Sequence, residues 1–200
     1  MARAAPLSAV DRRATLLAAA RLVFAERGYH RANVADILTA AGVARGTFYN
    51  HFESKRDVFA AVLAELMVEI GGVIKPIDVL RPVPEQVHEN LRAIAKGMAE
   101  AGDAVRILFT DALSVDADGE EALAAFYAHA NERVERALRR GQELGLVRIG
   151  ETRQTSRCLL GLLKEPVMQA HLAREPLDWE AVADAIFALL SSATLRAKPP

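Results

Sequence analysis

Hydrophobic residues recur every three or four positions along most of the chain, which is the period of an α-helix. Sustained alternation of apolar and polar residues, which is typical of a half-buried strand, is absent. In the first expected helix, about residues 10–27, five apolar residues keep the helical period: Leu16, Leu17, Ala20, Val23 and Phe24. The pattern therefore predicts an all-α protein with about nine helices.

Capping residues divide the first seventy residues into four helices. Gly28 is expected to end the first helix in a left-handed conformation, Asn33 to cap the second and Gly42 to end it. The third helix is expected over about residues 44–52, and Ser54 caps the fourth.

After a break at GGVIKP, further helices are expected at about residues 84–102, 104–114, 119–144, 152–173 and 178–196. Pro166 lies inside one of these helices and is expected to kink it. We therefore expect two domains, over residues 10–70 and 71–200.

Charge is distributed unevenly between these two parts. Residues 1–60 hold nine Lys and Arg against five Asp and Glu, a formal charge of +4, whereas residues 61–200 hold 16 against 21, a formal charge of −5. The asymmetry is either chance or the mark of an N-terminal domain that meets a polyanion.

The segment GVARGTFYNHF, residues 42–52, separates into two sides on a helical wheel. Phe48 and Phe52 fall about 40° apart on one side, and the opposite side is centred on Gly46 and Asn50. A glycine inside a helix costs about 1 kcal/mol relative to alanine. That cost makes sense if a ligand must approach the backbone closely at this point.

The polar side of this segment carries groups suited to DNA. Asn50 can form two hydrogen bonds with adenine, and Thr47 offers a hydroxyl and a methyl group to base edges. Tyr49, His51 and Lys55 can donate hydrogen bonds to phosphate oxygens. Two short helices joined by a glycine-containing turn describe a helix-turn-helix. The alternative is a small helical bundle whose polar face is only solvated.

Residues 24–63, FAERGYHRANVADILTAAGVARGTFYNHFESKRDVFAAVL, resemble the DNA-binding domain of the TetR family of transcriptional regulators. The elements G-Y, D-I, A-G-V, G-T-F-Y-N-H-F and S-K stand at the family's spacing. The resemblance implies a helix-turn-helix at about residues 33–52 in a homodimeric repressor that responds to a small molecule and binds an inverted-repeat operator in double-stranded DNA. It implies these DNA contacts: Asn33, Arg45, Gly46, Thr47, Tyr49, Asn50, His51 and Lys55.

Two places depart from the family pattern. Ala44 stands where the family commonly has Ser or Thr as the cap of the recognition helix, and the loss of that cap costs about 1 kcal/mol. Ala32 and Asn33 stand where the family often has Thr. The recognition helix is therefore expected to depend more on its aromatic anchors.

The last two expected helices are apolar on more than one face, in CLLGLLKEPVM and AVADAIFALLSSATL. Either they are buried within one chain, or they pack against a second copy through about residues 152–196. Residues that are either pocket lining for the effector or ordinary core are Met98, Phe109, Leu113, Phe126, Tyr127, Cys158 and Met168. Cys158 lies in an apolar run and is expected to be a buried, inert thiol.

Motifs of enzymes and cofactor sites are absent from the sequence. The five histidines lack metal-ligand spacing, and no dinucleotide-binding loop, P-loop or nucleophile elbow occurs, so we expect no catalysis, metal or cofactor. The longest uncharged run, residues 185–195, is too short to cross a bilayer, and a lone cysteine forms no internal disulfide, so a cytoplasmic protein is expected. Two alternatives remain: a ligand-binding helical protein without DNA binding, and an all-α enzyme.

Overall fold

Eight α-helices make up the part of the chain that a computed structural model describes, which is residues 9–102, 105, 109, 117–148 and 150–193. In chain order they are α1 (Ala9–Arg31), α2 (Val34–Ala41), α3 (Arg45–Tyr49), α4 (Lys55–Gly72), α5 (Val83–Ala101), α6 (Ala117–Glu143), α7 (Thr152–Ala173) and α8 (Trp179–Ala193). The all-α fold expected from the sequence is confirmed. The helix expected at about residues 104–114 lies outside the described residues.

Helix α1 is interrupted at Gly28, as expected. The backbone of Gly28 does not, however, adopt the left-handed helical conformation that was expected. Gly28 has φ 74° and ψ 161°, so the chain turns there and then resumes one helical turn up to Arg31. Because a positive φ is strained for residues with a side chain, glycine suits this position. The turn brings Tyr29 back onto the core, where only 1% of its surface is exposed.

Three buried aromatic rings join α1 to α4. The ring centroid of Phe59 lies 5.3 Å from that of Phe24 and 4.4 Å from that of Tyr29, and the latter two are 5.7 Å apart. Such spacings are those of favourable tilted and edge-to-face ring pairs. The predicted apolar stripe of α4 is therefore the surface on which α1 packs.

The second helix begins with the capping arrangement expected from the sequence. The backbone N–H of Asp36 donates to Asn33 Oδ1, and Asp36 Oδ2 accepts from the backbone N–H of Asn33, each at 3.0 Å. Gly42 ends α2 in the left-handed region at φ 65° and ψ 31°. Both caps satisfy backbone groups that a helix end otherwise leaves without partners.

The third helix is shorter than the expected span of residues 44–52. Ala44 provides no side-chain cap, and Asn50 already lies at the C-cap. The N–H groups of His51 and Phe52 both donate to the carbonyl of Phe48 at 2.9 Å, so the last turn tightens. Helix α3 ends early because Ser54, which caps α4, needs extended backbone (φ −154°) shortly after it.

Helix α4 is attached to α6 near both of its ends. Arg56 Nη1 lies 2.7 Å from Glu121 Oε2 at the start of α4, and Arg133 Nη2 donates to the Gly71 carbonyl at 3.2 Å near its end. A Cβ at Gly71 would lie 2.9 Å from Arg133 Nη1, so a glycine admits the guanidinium here. Helix α4 is thus held by α6 near both of its ends.

The seventh helix runs from Thr152 to Ala173 without interruption at Pro166. The expectation that Cys158 is buried was wrong, because this thiol is exposed in the described chain. The apolar run around it covers more than one face of α7, and an apolar neighbourhood in sequence does not tell which face meets the core. None of the helices in the described residues is both long and apolar enough to cross a membrane.

A charged contact joins α5 to α8. Asp184 accepts from His88 Nε2 at 2.7 Å and from Arg92 Nε at 3.1 Å, and the His88 ring stacks on Phe187 with centroids 4.3 Å apart. The hydrogen bond from His88, together with the nearby Arg92 guanidinium, lowers the pKa of the Asp184 carboxyl below its ordinary value.

Replacing Asp184 by Asn is expected to lower the melting temperature at neutral pH and to matter less as the pH falls. Since the pKa of Asp184 is lower in the folded state, the carboxylate stabilises fully above its ordinary pKa of 3.8 and loses this effect as the pH falls through the folded value. Thermal unfolding by circular dichroism from about pH 7 to about pH 2.5 tests this, with exposed Glu180→Gln on the same helix as control. A difference in melting temperature that stays constant to the lowest pH would contradict the expectation.

Candidate nucleic-acid interface

The third helix presents a bare polar surface to solvent. Arg45, Gly46, Tyr49 and Asn50 are exposed, and Tyr49 keeps 48% of its surface accessible. A Cβ placed on Gly46 would meet no atom within 4 Å, so the backbone there is open to close approach. Thr47 and His51 are half-buried beside this surface.

Two phenylalanines fix the opposite side of α3, as the helical wheel predicted. Phe48 is fully buried and Phe52 is 2% exposed, with their ring centroids 5.7 Å apart. Val43, which precedes the helix, packs against the same core. A helix of five residues has little stability of its own. Its orientation therefore depends on these anchors.

Arginine side chains lie against two of the rings. The Arg45 guanidinium is 5.6 Å from the centroid of the exposed Tyr49 ring, and the Arg13 guanidinium is 5.2 Å from that of Phe52. Contacts of this kind contribute about 0.5–1 kcal/mol at exposed sites. Arg45 is thereby held over the polar surface of α3, next to Gly46.

Asn33 is exposed, but its side-chain oxygen is occupied by the cap of α2. The carboxylate of its partner Asp36 also pairs with Arg27, whose Nη1 lies 2.7 Å from Asp36 Oδ1. The backbone N–H of Asn33 also donates to Asp36 Oδ2, so the expected phosphate contact of Asn33 would have to come from its side-chain amide nitrogen.

The second part of the chain contains an open cavity of about 580 Å³ at the C-terminal end of α7. The described residues that line it are Gly102, Val105, Val167, Ala170, His171, Leu172, Arg174, Glu175, Leu177 and Trp179. His171, Arg174 and Trp179 were not singled out from the sequence, which carries no periodic signal for them.

None of the predicted pocket residues that the structure describes lines this cavity. Met98 and Phe109 are buried in the main core, and Phe126 and Tyr127 pack against it. Burial raises the pKa of Tyr127 to about 12. Met168 is half-buried, and Leu113 lies outside the described residues. Their part in ligand binding stays a prediction.

Known proteins resemble the first domain most closely. Residues 16–62 match the model described as bacterial regulatory proteins, tetR family. The transcriptional activator FasR of Mycolicibacterium smegmatis is 47% identical over 53 residues, which are 26% of this chain and 24% of FasR. The transcriptional repressor Rv1474c of Mycobacterium tuberculosis is 29% identical over 182 residues, 88% of this chain and 90% of that protein. The chain is therefore similar to TetR-family regulators, over residues 16–62 for the family model and over most of its length for Rv1474c.

Solved TetR-like structures share the fold well beyond the first domain. A putative TetR-family regulator from Syntrophomonas wolfei superposes with a TM-score of 0.80 at 20% identity, covering 92% of this chain and 95% of that one. The regulator FadR of Bacillus subtilis, in complex with stearoyl-CoA, gives a TM-score of 0.75 at 20% identity, with 90% and 97% covered. At these identities the likeness concerns the fold. The matches to curated relatives such as FasR span about a quarter of their length.

Lys55 has a role in this TetR-type domain that the sequence did not reveal. Its Nζ donates to the carbonyl of Tyr29 at 3.0 Å and lies 4.1 Å from the centroid of the Tyr29 ring. The two residues are 26 positions apart, so no local pattern indicates the contact. Lys55 therefore ties the turn after Gly28 to the start of α4, whatever else it touches.

Replacing Lys55 by Met is expected to lower the free energy of unfolding of the DNA-free protein by about 1–2 kcal/mol, because a hydrogen bond from a charged donor and a cation–π contact are lost. Urea denaturation measures the change. Lys96→Met is the matched control, since the Lys96 side chain is 77% exposed. Equal stability of wild type and Lys55→Met would show that the contact with Tyr29 contributes nothing.

Proposed function

We propose that this chain is a DNA-binding transcriptional regulator that reads its operator with the exposed side of α3. The observation that carries the proposal is the division of α3 between two buried rings and an open, glycine-centred polar surface. A short helix of this kind enters the major groove of DNA with its N-terminal residues foremost. The match of residues 16–62 to the TetR-family model supports the same proposal.

Each exposed group of α3 has a chemical role in this proposal. Thr47 and Asn50 contact base edges, Asn50 with two hydrogen bonds to adenine. Tyr49 and His51 donate to phosphate oxygens. Arg45 lies over the same surface at the first position of the helix. Gly46 lets the backbone approach the DNA.

Lys55 and Asn33 are assigned more limited roles in DNA binding. Lys55 contributes first as the group that fixes the turn at Tyr29, and we propose a phosphate contact for it in addition. Asn33 contacts phosphate through its side-chain amide nitrogen. Positive charge in this region makes the affinity dependent on salt.

A homodimer through about residues 152–196 is part of the proposal. Leu172 and Leu189 keep 68% and 56% of their surfaces exposed in the single chain, on α7 and α8. Pairing these helices with their copies would bury such side chains in a two-fold interface. Two recognition helices about 34–36 Å apart, or a multiple of it, then match an inverted repeat.

Control by a small-molecule effector completes the proposal. The cavity of about 580 Å³ is large enough for an organic ligand, and the structurally similar FadR binds stearoyl-CoA.

We assign two domains, residues 10–70 and 71–200, whose hydrophobic core is continuous, since Phe24 and Phe109 belong to one cluster. An effector that binds one spacing of the recognition helices more tightly than the other would release or fix the operator. We propose that the protein represses transcription and that it acts in the cytoplasm.

Replacing Asn50 by Ala is expected to weaken operator binding by roughly tenfold to a hundredfold, because base discrimination by a good bidentate pair contributes about 1–3 kcal/mol. The operator is first selected from a random DNA library, and affinity is then measured by fluorescence anisotropy at several salt concentrations. The slope against salt should not change, since no phosphate contact is removed.

The matched control for this experiment is Gln169→Ala, which removes an exposed amide from α7. Circular dichroism verifies that both variants keep the helix content of the wild type. If the Asn50→Ala variant binds the operator as tightly as the wild type, Asn50 does not take part in reading the DNA sequence. Failure of the wild type to select any DNA would refute the function itself.

Replacing Leu189 by Glu is expected to convert a dimer into a monomer, because a charge would be buried in the apolar interface. Light scattering should give about twice the chain mass of 21.7 kDa for the wild type and about once that mass for the variant. Leu80→Glu, at a residue 92% exposed in the loop before α5, is the control and should stay dimeric. A wild type that is monomeric at micromolar concentration would disprove this interface.

A further inference from the structure

A second cavity, of about 350 Å³, opens between α6 and α7. Its polar and charged lining residues are Asn131, Glu132, Glu135, Arg139, Arg153 and Arg157. The helix contact beside it is also polar, since the fully buried Ser156 donates to Asn131 Oδ1 at 3.2 Å. An apolar ligand would gain little in such surroundings, whereas a charged one finds donors.

The α6–α7 hairpin has a net positive charge, although it lies in a part of the chain whose total charge is negative. Residues 131–160 hold seven arginines against four glutamates, a formal charge of +3, whereas residues 61–200 as a whole carry −5. Three of these seven arginines line the one cavity. The three guanidiniums give this cavity one more positive charge than its two glutamates offset.

Arg153 and Arg157 are placed where electrostatics within the chain disfavours them. They are four residues apart on α7, a spacing at which like charges repel, and the Glu151 carboxylate beside them is already used to cap the N-terminal end of the helix. Arg157 Nη1 donates to the neutral amide of Gln154, and no carboxylate lies within ion-pair distance of either guanidinium among the described residues. A bound anion would relieve this repulsion.

The two lining glutamates leave room for an anion. Glu135, 17% exposed, is paired with the guanidinium of Arg139 and also accepts from the Thr152 hydroxyl at 3.4 Å. Glu132 is more exposed and lies 4.0 Å from Arg136. The charge of Glu135 is thus largely compensated within the hairpin, which leaves Arg153 and Arg157 as the uncompensated pair.

We propose that this cavity binds a small oxyanion, a phosphoryl or carboxylate group, between Arg153 and Arg157. Guanidinium groups suit these ligands because their planar donors match two oxygens at once. The volume is at the low end for ligand sites, which fits a small acid and not a large organic effector. The site is distinct from the cavity at the end of α7 and from the surface of α3, but its Arg153 and Arg157 belong to the segment, about residues 152–196, through which the homodimer is proposed.

Isothermal titration calorimetry with inorganic phosphate and, separately, with succinate tests the proposal on the full chain without DNA, at constant ionic strength set with potassium chloride. Saturable binding of at least one probe is expected. Arg153→Gln and Arg157→Gln should each weaken it about tenfold, since each removes a charge-assisted contact. Glu132→Gln should tighten it several-fold, because a repelling charge is removed from the lining.

Arg140→Gln is the matched control, because Arg140 follows the lining residue Arg139 on α6, is 69% exposed and does not line the cavity. It should leave the affinity unchanged. Binding of phosphate alone assigns the site to phosphoryl groups, and binding of succinate alone assigns it to carboxylates. Absence of saturable binding to both probes overturns the proposal, as does an Arg140→Gln effect equal to that of Arg153→Gln. Neither result bears on DNA binding by α3.

Discussion

The contact of Phe59 with Phe24 and Tyr29 is the interaction on which the arrangement of the first helices depends. It requires the positive φ of Gly28, because only that turn returns Tyr29 to the core. Lys55 then closes the turn through the Tyr29 carbonyl. Helices α2 and α3 are too short to be stable alone. They acquire their places by packing on this α1–α4 unit, and so does the polar face of α3.

Helix α4 belongs to both halves of the molecule. Its start lies beside the aromatic cluster, and α6 holds it through Arg56 at one end and the Gly71 carbonyl at the other. Close-packed interiors transmit displacement because they cannot deform continuously. A change in the position of α6 therefore has a direct path to α3 through packed side chains. The continuity of the core across the proposed domain boundary has the same consequence.

Local features were predictable from the sequence, and long-range ones were not. The caps at Asn33 and Ser54 and the turn at Gly42 involve residues within four positions, and all were found as expected. The early end of α3 depends on the extended backbone that the next cap requires, which a helical wheel ignores. The contact of Lys55 with Tyr29 crosses 26 positions and has no periodic signature. Which face of α7 meets the core is likewise decided by packing, so the exposure of Cys158 was missed.

Charge illustrates the same limit in a different form. The total of −5 over residues 61–200 argued against an anionic partner for that part of the chain. Screening in physiological salt restricts a charge to a range of about 8 Å, so a ligand meets only the groups of its own site. Around the cavity between α6 and α7 those groups are three guanidiniums and two carboxylates, and each carboxylate is paired with an arginine on α6. The net charge of a domain adds the charges of this site to those of distant acidic residues, although the fold keeps the two groups apart. In the two proposals, both halves of the protein present cations to anions, over surfaces of very different size.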